Sequence, residues 1–131
     1  MYKVTVNKFD AMEGKFVNRK YLALVDNFEE TAEILYGNTE QEIISSIKVD
    51  AEYYDREIDI DEVEYLFALK YMIVSVDEKG KLRKTPRLVY LPAGTTDEAE
   101  KAFWDEFMKN SVVDAVLCRN EKTDYLPIKR Q

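Results

Sequence analysis

The sequence contains no histidine, one cysteine (Cys118), four glycines and three prolines in 131 residues. Each scarcity removes a class of function. Without histidine there is no Ser-His-Asp or Cys-His arrangement, and the side chain that most often serves as a general base near neutral pH is missing. A single cysteine forms no internal disulfide, and without histidine a four-ligand zinc site lacks partners. A lone thiol fits a reducing cytoplasm, and its setting in the apolar run VVDAVLC predicts a buried, inert group. The glycines are scattered, so neither common phosphate-binding loop is present. Gly80-Lys81 comes nearest but falls in a predicted turn. No apolar run approaches the roughly 18 residues of a membrane span. The opening MYKVTVNKFD alternates from its second residue, which leaves no pattern of a charged then apolar leader. These absences predict a cytoplasmic protein that is no enzyme and uses neither cofactor nor metal.

What is present predicts a folded core. Hydrophobic residues make up 46% and aromatics 12%, well above the composition of disordered chains. Tyr2, Val4 and Val6 alternate with Lys3, Thr5 and Asn7, as on a strand with one buried side. Gly14 then precedes a second alternating stretch, Phe16 to Val25, so a hairpin is expected. Asn27 and Glu30 have capping-box spacing ahead of a short helix, which breaks near Gly37-Asn38. Thr39 and Glu42 repeat that spacing, and Ile43, Ile44 and Ile47 extend a helical face. Lys48 to Tyr54 reads as a third strand.

The same order returns: strand Tyr65 to Val76, turn Asp77 to Lys81, strand Leu82 to Leu91, a helix capped by Thr95 and Glu98, and strand Val112 to Cys118. Pro86 places the returning strand at an edge or a bulge. Ala99, Ala102, Phe103, Phe107 and Met108 form the helix's apolar stripe, with Trp104 at its margin. Pro127 to Gln131 reads as a loose tail. Three anchors tie the halves: KFDAMEGKF to SVDEKGKL, Ala32-Glu33 to Ala99-Glu100, and Val49-Asp50-Ala51 to Val113-Asp114-Ala115. The expected fold is α+β: one domain from an internally duplicated strand-strand-helix-strand unit, with mainly antiparallel sheet. Its two repeats, about 2–54 and 65–125, are joined by an acidic connector, 55–64. Where the first hairpin shows Lys3, Thr5 and Asn7 outward, the second shows Lys70, Met72 and Val74. That more apolar face predicts a homodimer interface at Met72 and Val74, unless the first half covers it.

Charge divides the chain sharply. Net charge is −7, yet residues 2–25 carry five cations against two acids and residues 68–91 six against two, while residues 26–64 carry two against fourteen. Both hairpins are basic in an acidic protein. Lys15, Arg19, Lys20 and Tyr21 in one, and Lys81, Arg83, Lys84 and Arg87 in the other, are candidates for single-stranded nucleic acid, where cations follow phosphates and rings stack on bases. The plainer reading is a charged outward face that keeps edges apart and pairs with the chain's own acids. Asp55, Glu57, Asp59 and Asp61 would share one face of an extended strand and could hold a divalent cation. The plainer reading there is a solvated, self-repelling linker. The acids from Asp50 to Glu64 also admit a nucleic-acid mimic.

YKVTVNKFDAMEGK, the helix after it, and the close near Thr123-Asp124-Tyr125 resemble an uncharacterised family of small proteins from gut anaerobic bacteria and their phages and plasmids. The resemblance implies a mobile-element setting and assigns no activity or site residue. The repeated hairpin and helix is also similar, at the level of fold, to single-stranded-DNA-binding sheets built from pseudo-symmetric halves. The function expected first is a non-enzymatic binding or scaffolding module acting through protein contacts, with single-stranded nucleic-acid binding as the alternative.

Overall fold

A computed structural model describes residues 1–27, 29–30, 41–56 and 65–129. Eight strands and one helix are described: β1 (Tyr2–Asp10), β2 (Lys15–Leu24), β3 (Gln41–Lys48), β4 (Glu52–Tyr53), β5 (Tyr65–Val76), β6 (Leu82–Ala93), α1 (Thr96–Ala102), β7 (Asp114–Thr123) and β8 (Leu126–Lys129). The protein is α+β and mostly strand. No helix among the described residues is long and apolar enough to cross a membrane.

The chain forms two compact units, one of Met1–Asp50 with Asp124–Gln131, the other of Ala51–Thr123. Each holds one four-stranded sheet. The first has order β3-β1-β2-β8 and the second β4-β6-β5-β7. In both, a central hairpin carries an antiparallel strand on one side, and a short parallel strand pairs with the end of its returning strand on the other. β4 follows β3 in the chain but pairs in the second sheet, whereas β8 follows β7 but pairs in the first.

Alternation in β1 and β2 works as the residues dictate. Val4, Val6, Ala23 and Val25 are buried, and Tyr2, Tyr21, Ile43 and Ile128 pack against them. In the second unit Phe67, Leu69 and Tyr71 of β5 join Val89 and Leu91 of β6 beneath Ala99, Ala102 and Phe103. Thr95 caps α1 by accepting the Glu98 N–H at 3.1 Å, and the Glu98 carboxylate reaches back to accept the Gly94 N–H at 2.9 Å. A π-helical turn, Phe103–Phe107, follows without a break. It places the Phe103 ring 5.0 Å from Tyr71 and the Phe107 ring 5.8 Å from Tyr54.

Five expectations are corrected. Residues 41–48 form a strand, not a second helical segment: Ile43 packs into the core while Ile47 is exposed, and a bulge opposite Thr5/Val6 breaks the strict period of two. That strand ends where Lys48 to Tyr54 was expected to begin, so Val49-Asp50-Ala51 follows a strand whereas Asp114 opens one. β7 starts later than expected and continues to Thr123, and the tail expected to be loose supplies β8. Cys118 is exposed: the register shift at Lys70/Tyr71 leaves it as the bulged residue of an edge strand. The Asn27 cap is present, with its side chain accepting the Glu30 N–H at 3.0 Å. Glu29 and Glu30 are helical; the rest of the helix expected there, Ala32-Glu33 included, falls outside the described residues.

Candidate interaction surface

The two hairpins end in the same device. Asp10 accepts the N–H groups of Met12 and Glu13 through one carboxylate oxygen and holds Arg19 at 3.4 Å through the other. Asp77 likewise accepts from Lys79 and Lys81 and holds Arg83 at 3.3 Å. Gly14 and Gly80 then adopt left-handed φ of 65° and 79°, which a side chain would disfavour. Just before each turn an apolar pair faces across the strands, Phe9 with Phe16 and Val76 with Leu82. Both pairs lie on the sheet face opposite the core, and Phe16, Val76 and Leu82 are each more than 60% exposed.

Their neighbours differ. On the first hairpin Phe9 and Phe16 meet edge to face at 5.3 Å. Its cations are largely engaged: Lys15 with Glu13 at 3.9 Å, Arg19 with Asp10, Lys20 with Asp124 at 3.5 Å, and Lys3 over the Tyr125 ring at 5.5 Å. Tyr21 is half-buried against the core. A shallow concavity of about 320 Å³ lies at this tip, lined by Lys8, Asp10, Met12, Val17 and Arg19 among others. On the second hairpin only Arg83 has a carboxylate partner among the described residues. Lys70, Lys79, Lys81, Lys84 and Arg87 have none there.

Within each hairpin the candidate cations divide between faces. Lys15, Arg19 and Tyr21 share the core-side face of β2 and Lys20 takes the other; Arg83 and Arg87 share the core-side face of β6 and Lys84 takes the other. Met72 and Val74, the expected interface, stand with Lys84 on the outer face. Its rows run Lys84–Val74–Asp114 and Pro86–Met72–Val116, with Val76 and Leu82 beyond. Exposure rises along this face. Leu66, Tyr90 and Pro92 are buried, Met72 and Val74 are half-buried, and Val76, Leu82 and Val116 are exposed.

Among the described residues no strand pairs with the far side of β6 at Pro86, which is the edge placement, one of the two expected. The Tyr90 carbonyl accepts the Tyr54 N–H at 2.9 Å, so Tyr90 directs its backbone groups away from β5. By alternation Pro86 does too, and the donor it lacks costs the ladder nothing. Among the described residues β6 is covered on that side only at Val89 and Tyr90, and from Leu82 to Leu88 it carries Lys84 and Pro86, both of which discourage an added strand.

One polar cluster was not anticipated. Arg56, whose side chain is 13% exposed, pairs with Glu98 at 2.9 Å and Glu106 at 3.2 Å and donates to the Pro92 carbonyl at 3.0 Å. Burial opposes its charge, but the hydrogen bonds and charges of the two glutamates hold its pKa above the ordinary value. In return the Arg56 hydrogen bond, aided by the Gly94 N–H, holds the Glu98 carboxyl below its usual range. Burial, reinforced by the charge of Glu52 and opposed by Arg87, raises the pKa of Tyr71. The cluster fastens the chain after β4 to α1 and to the turn that follows it. Of the acidic row, Glu57, Asp59 and Asp61 lie outside the described residues. Among the described ones no cluster of metal-ligand type occurs. No family model, curated protein or solved structure matches this chain.

Proposed function

We propose that this protein is a non-enzymatic binding module that works through protein contacts, and that the outer face of the β5–β6 hairpin is its contact surface. The observation that carries the reading is the run of Met72, Val74, Val76 and Leu82 with Val116, an aliphatic surface that becomes more exposed toward the hairpin end. Contact through Met72 and Val74 between two copies is the homodimeric form of this reading. The matched strand orders and turn devices support descent of both units from one duplicated hairpin-containing segment, after which their outer faces diverged.

Single-stranded nucleic acid is the second reading, favoured by the exposed Phe9–Phe16 pair beside basic strands. A photo-crosslinking amino acid at position 76, compared with position 9, tests between the two in extract of the source cells. Protein adducts at 76 that survive nuclease treatment are expected. Adducts removed by nuclease, or none at 76, would contradict the protein-contact reading.

A further inference from the structure

Resting on that reading, we infer that the partner of the β5–β6 outer face is an acidic, aliphatic-bearing polypeptide segment. The first support is uncompensated charge. Six cations and two acids lie between residues 68 and 91, and only Arg83 meets a carboxylate among the described residues. Lys70 and Lys84 rise from the outer face itself, and Lys79 and Lys81 from the turn beside it. In the rows that hold Met72 and Val74, Asp114 is the lone carboxylate. Lysines around an apolar stripe attract an anionic ligand and raise its rate of encounter.

The second support is the kind of apolar surface. No aromatic residue occurs from Met72 to Arg87. Bases bind single-strand platforms by stacking on rings, whereas methionine, valine and leucine side chains pack against other aliphatic side chains. The exposed ring pair belongs to the other hairpin, where Lys15, Arg19 and Lys20 are already held by Glu13, Asp10 and Asp124. The two requirements of a nucleic-acid platform are thus divided between hairpins. A second copy docked about a twofold axis would set one basic hairpin against another, which opposes self-pairing. Lys84 and Pro86 on the open edge direct the ligand to the side chains of the face and away from strand addition.

The test is fluorescence anisotropy with the intact protein. The probes are a labelled peptide of about ten residues alternating glutamate with leucine or valine, the same peptide with lysine for glutamate, and labelled oligo(dT). The acidic peptide is expected to bind, to weaken between about 0.05 and 0.2 M salt, and to lose at least about tenfold in affinity in a Lys81→Glu/Lys84→Glu variant. Lys15→Glu/Lys20→Glu should bind as the wild type does. No binding of the acidic peptide, equal binding of the lysine peptide, or tighter binding of oligo(dT) with the same dependence on Lys81 and Lys84 would each overturn the inference. So would a concentration-dependent dimer abolished by Val76→Glu. Nuclease-resistant adducts at position 76 alongside a negative titration would leave the protein-contact reading standing and remove this one.

Discussion

The two hairpins share a frame and differ in what they show to solvent. In each, an aspartate ties the turn amides and an arginine, a glycine turns the chain, and an apolar pair precedes the turn. Yet four of the first hairpin's five cations, all but Lys8, meet an acid or a tyrosine ring, while the second leaves five of six without a carboxylate among the described residues. Turn geometry is set by a few backbone requirements that both hairpins must meet. The outer face carries no such constraint, so its side chains can be given to binding.

The largest way to strain the comparison is in the cores. Phe103 is fully buried amid Tyr71, Trp104 and Phe107, so Phe103→Ala should cost about 3–5 kcal/mol, read by denaturant unfolding followed through Trp104, the chain's single tryptophan. Val6→Ala in the first unit removes less buried surface and should cost about 2 kcal/mol. Equal costs would show that the aromatic core of the second unit adds nothing. Arg56→Ala comes next, at about 1–3 kcal/mol, because it leaves the Pro92 carbonyl and two carboxylates without their donor.

Arg56 also sets a pH dependence. The folded-state pKa of Glu98 lies below its unfolded value, near 4.5, so the folded state binds fewer protons there. The stabilisation from Glu98 is complete above that value and is lost as pH falls through the lowered folded pKa. Stability measured by urea titration from pH 6 downward should therefore fall less steeply in Arg56→Gln, and an unchanged slope would remove Arg56 as the cause.

Smaller effects sharpen the match between turns. Gly14→Ala and Gly80→Ala meet no neighbouring atom, so each should cost only the backbone strain of left-handed φ, about 1 kcal/mol. The two values should agree, since the turns are alike. Smallest of all, Lys81→Glu/Lys84→Glu should leave thermal stability within about 0.5 kcal/mol, both side chains being exposed and without carboxylate partners among the described residues.

Much of this frame was legible in the residues because the signals were local. Alternation around Gly14 and Gly80 marks both hairpins, and Thr95 with Glu98 marks α1. The residues of β3 read as helix because Thr39 with Glu42 has the spacing of a capping box, and Ile43, Ile44 and Ile47 have helical spacing. A bulge removed the alternation that would have shown a strand. β4 and β8 are two and four residues long and exist through parallel pairing with distant strands, so no nearby pattern announces them. The Arg56 cluster is silent for the same reason, since its partners lie 36 to 50 positions away. Of the candidate surface, the apolar strand face at Met72 and Val74 was visible from alternation alone. The difference in charge compensation needed the spatial pairing of Arg19 with Asp10 and of Lys20 with Asp124.

The proposal that the second hairpin binds and the first does not rests on the contrast between their outer faces. It is tested most directly by placing one glutamate pair on each, Val76→Glu/Leu82→Glu against Phe9→Glu/Phe16→Glu, and recording crosslinked protein adducts from position 74 in both. Adducts should be lost with the first pair and retained with the second. Loss with the Phe9/Phe16 pair alone would contradict it.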